Sequence, residues 1–321
     1  MIYPWQQSLW RDLYDLFATD KVPHAILLAG PGHSGLEVLA RSYMQLLMCA
    51  SPESAGACGS CRSCTLLAAG SHPDGFLLSP LEDSKQIIIE QIRTLVHQLT
   101  LSSIVASRKL ALICPAEAMN RNSQNALLKT LEEPAGSTVI ILVSNDPGRL
   151  LPTIRSRCRL FSQPLPAKPE LMTWLADNHP DSDPESRQSA SVAAGGKPLL
   201  ALKYLEDGTL EQRRDVAVVL FRMARSGGNA LEAARKFSDY PKPDLWIWIS
   251  GWMGTLAAVL LNGGESDDPV VESFRKMLPC MTARKALQLQ QQAMRSHQSH
   301  KGPLRQDLLL ADWLIQWQSC R

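Results

Sequence analysis

Four cysteines that lie close together in the sequence have the residue type and the spacing of a metal site. They are Cys49, Cys58, Cys61 and Cys64. Four thiolates can surround Zn²⁺ as a closed tetrahedron, so the sequence predicts a structural zinc site with these four ligands. An iron–sulfur cluster is an alternative, but the ferredoxin pattern requires a further cysteine after Cys64 that is not present. A third alternative is four unrelated buried thiols, but the loop between them is polar and offers no apolar surroundings. His72 is a substitute ligand to consider, although 72–74 is read more simply as a turn before the next strand.

A second candidate site is a glycine-rich loop that follows an apolar run and precedes residues with helical periodicity. A working phosphate loop has the pattern G-x-x-x-x-G-K-[S/T], in which the lysine neutralises phosphate charge and the hydroxyl holds Mg²⁺. Gly30 and Gly35 keep this spacing, but Leu36 stands at the lysine position and Glu37 at the hydroxyl position. The loop is therefore a degenerate phosphate loop for which no bound ATP is expected. A mere glycine turn is the alternative.

The second half of an ATPase site should be an acid at the end of a hydrophobic strand. The apolar segment 110–113 ends instead in Cys114 and Pro115, neither of which can coordinate Mg²⁺. No pair of carboxylates suited to two-metal nucleotidyl transfer is visible either. We therefore expect no intrinsic catalysis from this chain.

The elements that position these residues alternate between strands and helices over the first ~160 residues, which predicts a parallel α/β sheet. The predicted strands are 22–29, 76–78, 109–114, 138–143 and 160–161, and the predicted helices are 36–47, 87–99 and 122–131. Prolines then mark a linker, and the rest of the chain has helical periodicity. The predicted fold class is α/β plus all-α. The predicted domains are 1–163 with the cysteine insert 49–64, then 164–207, then 208–321.

Composition and charge exclude several classes of protein. Hydrophobic residues make up 45% of the 321, which excludes wholesale disorder, and the net charge of +2 argues against a chain whose main task is to grip a phosphate backbone. We expect no secretory signal, and eight cysteines without one indicate a reducing, cytoplasmic setting. The uncharged segment 245–261 is expected to be a buried helix and not a membrane span, with no membrane partner.

Several sequence strings together resemble one family. They are the glycine loop, the cysteine pattern, G-S-H-P-D at 70–74, N-A-L-L-K-T-L-E-E-P at 125–134 and L-L-P-T-I-R-S-R-C at 150–158. This combination resembles the clamp-loader subunits of bacterial DNA polymerase III, which are members of the AAA+ superfamily. The resemblance implies an AAA+ P-loop-type α/β domain, a small helical lid at 164–207 and a C-terminal helical collar for oligomerisation at 208–321.

The resemblance also implies a function. With its phosphate loop degenerate, the chain is similar to the non-hydrolysing member of the loader, which helps to load the sliding clamp onto primed DNA during replication. The expected partners are an ATPase subunit and a delta-type subunit in a hetero-oligomeric ring, with the clamp and primed DNA reached through the complex. The DNA-directed DNA polymerase (nucleotidyltransferase) activity would belong to the whole complex.

One arginine receives a role from the resemblance. Arg157 lies in the S-R-C string and would be an arginine finger acting in trans on a neighbouring subunit's nucleotide. The alternative is a solvated charge, since Arg155, Arg157 and Arg159 would share a face if the segment were extended. Arg155 and Arg159 are expected to contact phosphate or to be structural, and Lys129 to pair with Glu132 or Glu133 along its helix.

Two rival functions remain at this stage. One is an ATP-dependent DNA-remodelling AAA+ ATPase, against which Leu36, Glu37 and Cys114 count. The lid position that carries a nucleotide-sensing arginine in AAA+ proteins also holds Lys197 or Pro198 here. The other is a zinc-containing nucleic-acid-binding module, although Arg62 is the one cation within the cysteine pattern.

Overall fold

A computed structural model describes residues 2–53, 56–81, 84–237, 242–298 and 305–320. Five strands form one parallel sheet in the order β2-β3-β4-β1-β5. The strands are β1 (Ala25–Ala29), β2 (Gly75–Leu78), β3 (Lys109–Ile113), β4 (Thr138–Ser144) and β5 (Arg159–Ser162). The glycine loop follows β1, which lies between β4 and β5. Each of the five strands overlaps one of the predicted strand segments.

Helices make up most of the remaining described chain. Up to residue 206 they are α1 (Gln7–Ala18), α2 (Leu36–Met48), α3 (Arg62–Ala68), α4 (Ile89–Thr100), α5 (Arg121–Glu132), α6 (Pro152–Arg157), α7 (Lys168–Asn178), α8 (Pro184–Ala193) and α9 (Pro198–Glu206). Then follow α10 (Thr209–Ser226), α11 (Ala230–Lys236), α12 (Lys242–Asn262), α13 (Pro269–Met277), α14 (Ala283–Gln298) and α15 (Gln306–Gln318). Short 3-10 helices lie at Pro4–Gln6, Ala116–Ala118 and Pro147–Arg149.

The three central strands β1, β3 and β4 are buried on both faces, as in a parallel sheet that helices cover. Because side chains alternate along a strand, Ile26 and Leu28 of β1 face one core, which α1 and α2 complete. Ala25 and Leu27 face the other core, to which α4, α5 and α6 contribute. This explains the unbroken apolar runs 25–29 in β1, 110–113 in β3 and 139–143 in β4.

The chain divides into two compact units. The first comprises Met1–Trp174 with Lys197–Leu199, and the second comprises Leu175–Gly196 with Leu200–Arg321. The parallel sheet and the helical second unit confirm the predicted α/β plus all-α fold class. The predicted boundaries of lid and collar stay a prediction.

Tryptophans fill the core of the second unit. Trp246, Trp252, Trp313 and Trp317 are almost completely buried, and the indole N–H of Trp317 donates to the Leu220 carbonyl at 3.0 Å. Residues 244–262 of α12 are long and apolar enough to cross a membrane by length and composition alone, with a mean hydropathy of 1.4, and half of them are buried. The prediction that this segment is a helix packed among other helices is confirmed by that burial.

Candidate functional site

The four cysteines of the sequence pattern come together at the end of α2. Cys49 follows the last residue of α2, Cys61 caps the start of α3, and Cys64 lies within α3. The four sulfurs lie within 4.8 Å of one another. The Cys49 sulfur is 3.5 Å from that of Cys58 and 3.9 Å from that of Cys61, and all four thiols are free.

These separations fit a tetrahedral metal. With a Zn–S bond of about 2.3 Å, a regular tetrahedron places its sulfurs about 3.8 Å apart. A disulfide would require about 2.05 Å. The donor set and its spacing therefore match a closed site of four cysteine ligands, and these four residues could hold a metal ion.

The peptide backbone around the thiols favours the charged form at one side of the cluster. The backbone N–H of Cys61 donates to the Cys58 sulfur at 3.4 Å, and with the Ser60 N–H it lowers the pKa of Cys58 to about 6. Similar backbone donors lower the pKa of Cys61. Burial raises the pKa of Cys64 to about 12 and also raises that of Cys49. A metal at the centre would supply the charge that keeps the buried thiols deprotonated.

His72 has a structural role in place of the ligand role considered for it. Its Nε2 lies 3.0 Å from the Ser63 hydroxyl, and its Nδ1 accepts the backbone N–H of Asp74 at 3.0 Å. Residues 73 and 74 form the predicted turn that leads into β2. The buried His72 thus connects α3 to the sheet.

Asp74 is a buried residue whose role the sequence does not indicate, since it is predicted there only as part of a turn. Its carboxylate accepts the backbone N–H groups of Ile104, Val105 and Ala106 at 2.6–3.0 Å. The ammonium of Lys109 lies 3.8 Å away and is also buried. Burial alone would raise the pKa of Asp74, but the three N–H donors and Lys109 outweigh it and lower that pKa. The acid fixes the loop that precedes β3.

At the other end of α2 the glycine loop has the backbone shape of a phosphate loop. Gly35 caps α2 with φ +79°, in the left-handed region that favours glycine. Leu36 is buried in the core with its side chain unavailable to a ligand. The carboxylate of Glu37 is bound to the guanidinium of Arg41 at 2.8 Å. Neither residue can replace the missing lysine and hydroxyl.

Residues far away in sequence hold this loop. The Ser34 carbonyl accepts the Trp5 indole N–H at 2.9 Å and the side-chain amides of Gln6 at 3.3 Å and Gln163 at 3.1 Å. A Cβ at position 35 would overlap the Tyr3 ring, which stacks on Trp5. No signal within a short window of sequence indicates these contacts.

Cys114 and Lys197, which stand where an ATPase would have functional residues, and Asn145 all lie close to the loop. Cys114 follows β3, and burial raises the pKa of its thiol to about 12. Asn145, after β4, donates its backbone N–H to Glu117 at 3.1 Å. Lys197 lines an open cavity of about 480 Å³ beside Gly30 and Gly32.

Arg157 is the last residue of α6, and its side chain is about one-third exposed. Its Nη1 donates to the Thr153 carbonyl at 2.8 Å, and its Nη2 forms an ion pair with Glu132. The idea of an extended arginine face is wrong, because Arg155 and Arg157 are helical and only Arg159 lies on β5. Among the described residues, Lys129 forms no ion pair with Glu132 or Glu133, so that expectation is wrong, and Glu132 pairs instead with Arg157 of α6.

Comparison with known proteins identifies the family. A family model described as DNA polymerase III, delta subunit, matches residues 5–165. The DNA polymerase III subunit delta′ of Pseudomonas aeruginosa is 38% identical over 99% of this chain and 98% of its own length. The chain belongs to the DNA polymerase III subunit delta′ family. The delta′ subunits of Haemophilus influenzae and Escherichia coli are 32% and 29% identical over 67% and 76% of this chain, and over 64% and 73% of their own lengths. The predicted resemblance to this family is confirmed.

Proposed function

We propose that this chain is the non-hydrolysing subunit of a DNA polymerase III clamp loader and supplies Arg157 to the ATP site of a neighbouring subunit. It would act within a hetero-oligomeric ring with an ATPase subunit and a delta-type subunit, in the cytoplasm. The ring would place the sliding clamp on primed DNA. Membership of the delta′ family supports this assignment.

The observation that carries the proposal is the state of the glycine loop. Leu36 is buried, Glu37 is paired with Arg41, and Cys114 and Pro115 stand directly after β3, where an acid would be required. A phosphate at the start of α2 would find the helix dipole but no lysine, and it would be repelled by Glu37. The loop is held instead by hydrogen bonds from within the chain to the Ser34 carbonyl. A subunit with this loop contributes to hydrolysis only by acting on another subunit's nucleotide.

Arg157 has the chemistry for such an action. A guanidinium is always charged and presents a planar set of N–H donors that match phosphate oxygens. Arg157 lies at the end of a short helix with part of its side chain exposed. Placed against a neighbour's γ-phosphate, it would stabilise the charge that develops during hydrolysis.

The thiol cluster would hold a structural Zn²⁺ through Cys49, Cys58, Cys61 and Cys64. Bound there, the ion would supply a four-way link between the end of α2 and the start of α3. It would take no part in hydrolysis, because four protein ligands leave no open position.

The test is ATP turnover by the reconstituted loader with clamp and primed DNA, comparing wild type with Arg157→Ala. We expect turnover to fall several-fold at least, because fingers are worth about 10³ or more at the site they serve. Arg93→Ala removes the same charge from an exposed position of α4, so it is the matched control and should retain turnover. The isolated chain should bind no ATP. Full turnover by a normally assembled Arg157→Ala loader would refute the finger role.

A further inference from the structure

We propose that Glu132 is the positioning residue for Arg157, holding the guanidinium at the surface so that its remaining N–H donors meet a phosphate oxygen when a neighbour's nucleotide arrives. This inference rests on the proposed role of Arg157 as a trans finger. It assigns a function to an acid that the sequence analysis considered only as a partner for Lys129.

The guanidinium of Arg157 is held by two different acceptors. Nη1 donates to the Thr153 carbonyl one turn earlier in α6, at 2.8 Å, and Nη2 pairs with the Glu132 carboxylate of α5. Two acceptors on two helices fix the plane of the guanidinium as well as its position. Because a guanidinium has five N–H donors, others remain for a third acceptor.

Glu132 lies at a position where its charge is unfavourable for its own helix. It is the last residue of α5, close to the negative end of the helix dipole. Arg157, as the last residue of α6, is at a position that favours a cation. The helix α5 alone therefore does not favour a negative charge at this position. The positive charge of Arg157 compensates for the unfavourable interaction of Glu132 with its own helix dipole.

The pair leaves part of the guanidinium accessible. The side chain of Glu132 is 47% exposed and that of Arg157 is 32% exposed. Exposed ion pairs are weak, because water and salt screen them, so the effect of this pair on hydrolysis is expected to be modest. While Glu132 holds Nη2, it restricts the rotamers of a long side chain, and the N–H donors that remain can meet a phosphate oxygen.

This arrangement predicts a specific kinetic signature. A finger that is less well oriented stabilises the transition state less but affects ground-state binding of ATP little. Glu132→Ala should therefore lower kcat of the reconstituted loader about threefold to fivefold, the range an exposed pair can transmit, with KM for ATP unchanged. Glu132→Gln keeps one acceptor oxygen and should lie between wild type and Glu132→Ala.

The experiment uses the complete loader with clamp and primed DNA and includes two controls. Glu133→Ala removes the same charge from the adjacent, exposed position and should retain kcat. The double variant Glu132→Ala with Arg157→Ala should have the kcat of Arg157→Ala alone, because Glu132 acts only through that arginine. Size-exclusion chromatography establishes that each variant assembles.

The outcomes separate this inference from the function on which it rests. If Arg157→Ala retains full turnover, the finger role fails and this inference fails with it. If Arg157→Ala is impaired but Glu132→Ala is not, only the positioning role of Glu132 is overturned. The same holds if Glu132→Ala lowers kcat equally in the Arg157→Ala background, since that carboxylate would then act elsewhere.

Discussion

The two ends of helix α2 carry two candidate sites, and these differ in whether the side chains that would bind a ligand are present. At its start, Gly35 and the loop before it keep the backbone of a phosphate site while the side chains at 36 and 37 cannot serve a phosphate. At its end, Cys49 joins three further thiols whose separations match a tetrahedral metal. One end has a glycine loop without the side chains that would hold a phosphate, and the other end has four side chains that could hold a metal.

Close to each end of α2 lies one buried acceptor that collects several donors. At the glycine loop this acceptor is the Ser34 carbonyl, which receives three side-chain donors. Near the thiols it is the Asp74 carboxylate, which receives three backbone donors and Lys109. The comparison teaches that a loop shape can persist without its ligand when internal hydrogen bonds take over the ligand's role as a support.

The largest expected effect comes from breaking the metal end. Cys64→Ser removes the buried member of the proposed ligand set. We expect bound zinc to fall from about one ion per chain to below about 0.1, and the free energy of unfolding to fall by about 4 kcal/mol, part of the 10–16 kcal/mol that structural zinc contributes in zinc-finger peptides. Metal analysis of the purified chain and denaturant unfolding measure the two effects.

The matched control for this change is Cys280→Ser, which alters an exposed free thiol outside the cluster. It should retain both metal and stability. If the wild-type chain purified without chelators contains no stoichiometric metal, the interpretation of the cluster as a zinc site is wrong.

The sequence predicted those features that depend on local pattern. Unbroken apolar runs located β1, β3 and β4, and the cysteine spacing located a cluster that the fold does bring together. The helix 36–47 and the degenerate loop before it were also predicted where the structure has them.

The sequence did not reveal contacts that join distant segments. Gln6 and Gln163 are hydrogen-bonded to each other at 3.0 Å although 157 positions separate them. Asp74 is an ordinary turn residue by its neighbours, and only the fold brings the 104–106 backbone to it. The sequence also does not indicate that Arg155 and Arg157 lie on a helix, because the six residues of α6 are too few for helical periodicity to appear.

A smaller effect is expected from the support behind the metal end. Asp74→Asn replaces an acceptor-only carboxylate by an amide that also donates, and it leaves Lys109 buried without a counter-charge. Breaking such a buried pair from one side costs about 3 kcal/mol or more. Urea unfolding at pH 7 measures the loss, and Asp74→Asn with Lys109→Met should recover part of it, because the uncompensated charge is removed.

Because Asp74 is ionisable, the difference in unfolding free energy between wild type and Asp74→Asn should depend on pH. The pKa of Asp74 in the folded chain lies below its ordinary value of about 3.9. Its contribution is therefore complete above the unfolded pKa and is lost as pH falls through the folded pKa. The stability difference between wild type and Asp74→Asn should narrow as the pH is lowered below about 4. A difference that stays constant over that range would contradict the assigned role of the charge.

The smallest expected effect concerns the conformation of the glycine loop before α2. Gly35→Ala places a Cβ against the Tyr3 ring and forces alanine to adopt φ +79°, and we expect a loss of about 2 kcal/mol in unfolding free energy. Gly208→Ala is the matched control, because Gly208 caps α10 with φ +71° and has open space around its Cβ. It should lose only the backbone term of about 1 kcal/mol. Only Gly35 has a neighbour, the Tyr3 ring, that an added Cβ would displace. Equal losses of unfolding free energy at the two positions would therefore mean that the contact between Tyr3 and the loop does not stabilise the protein.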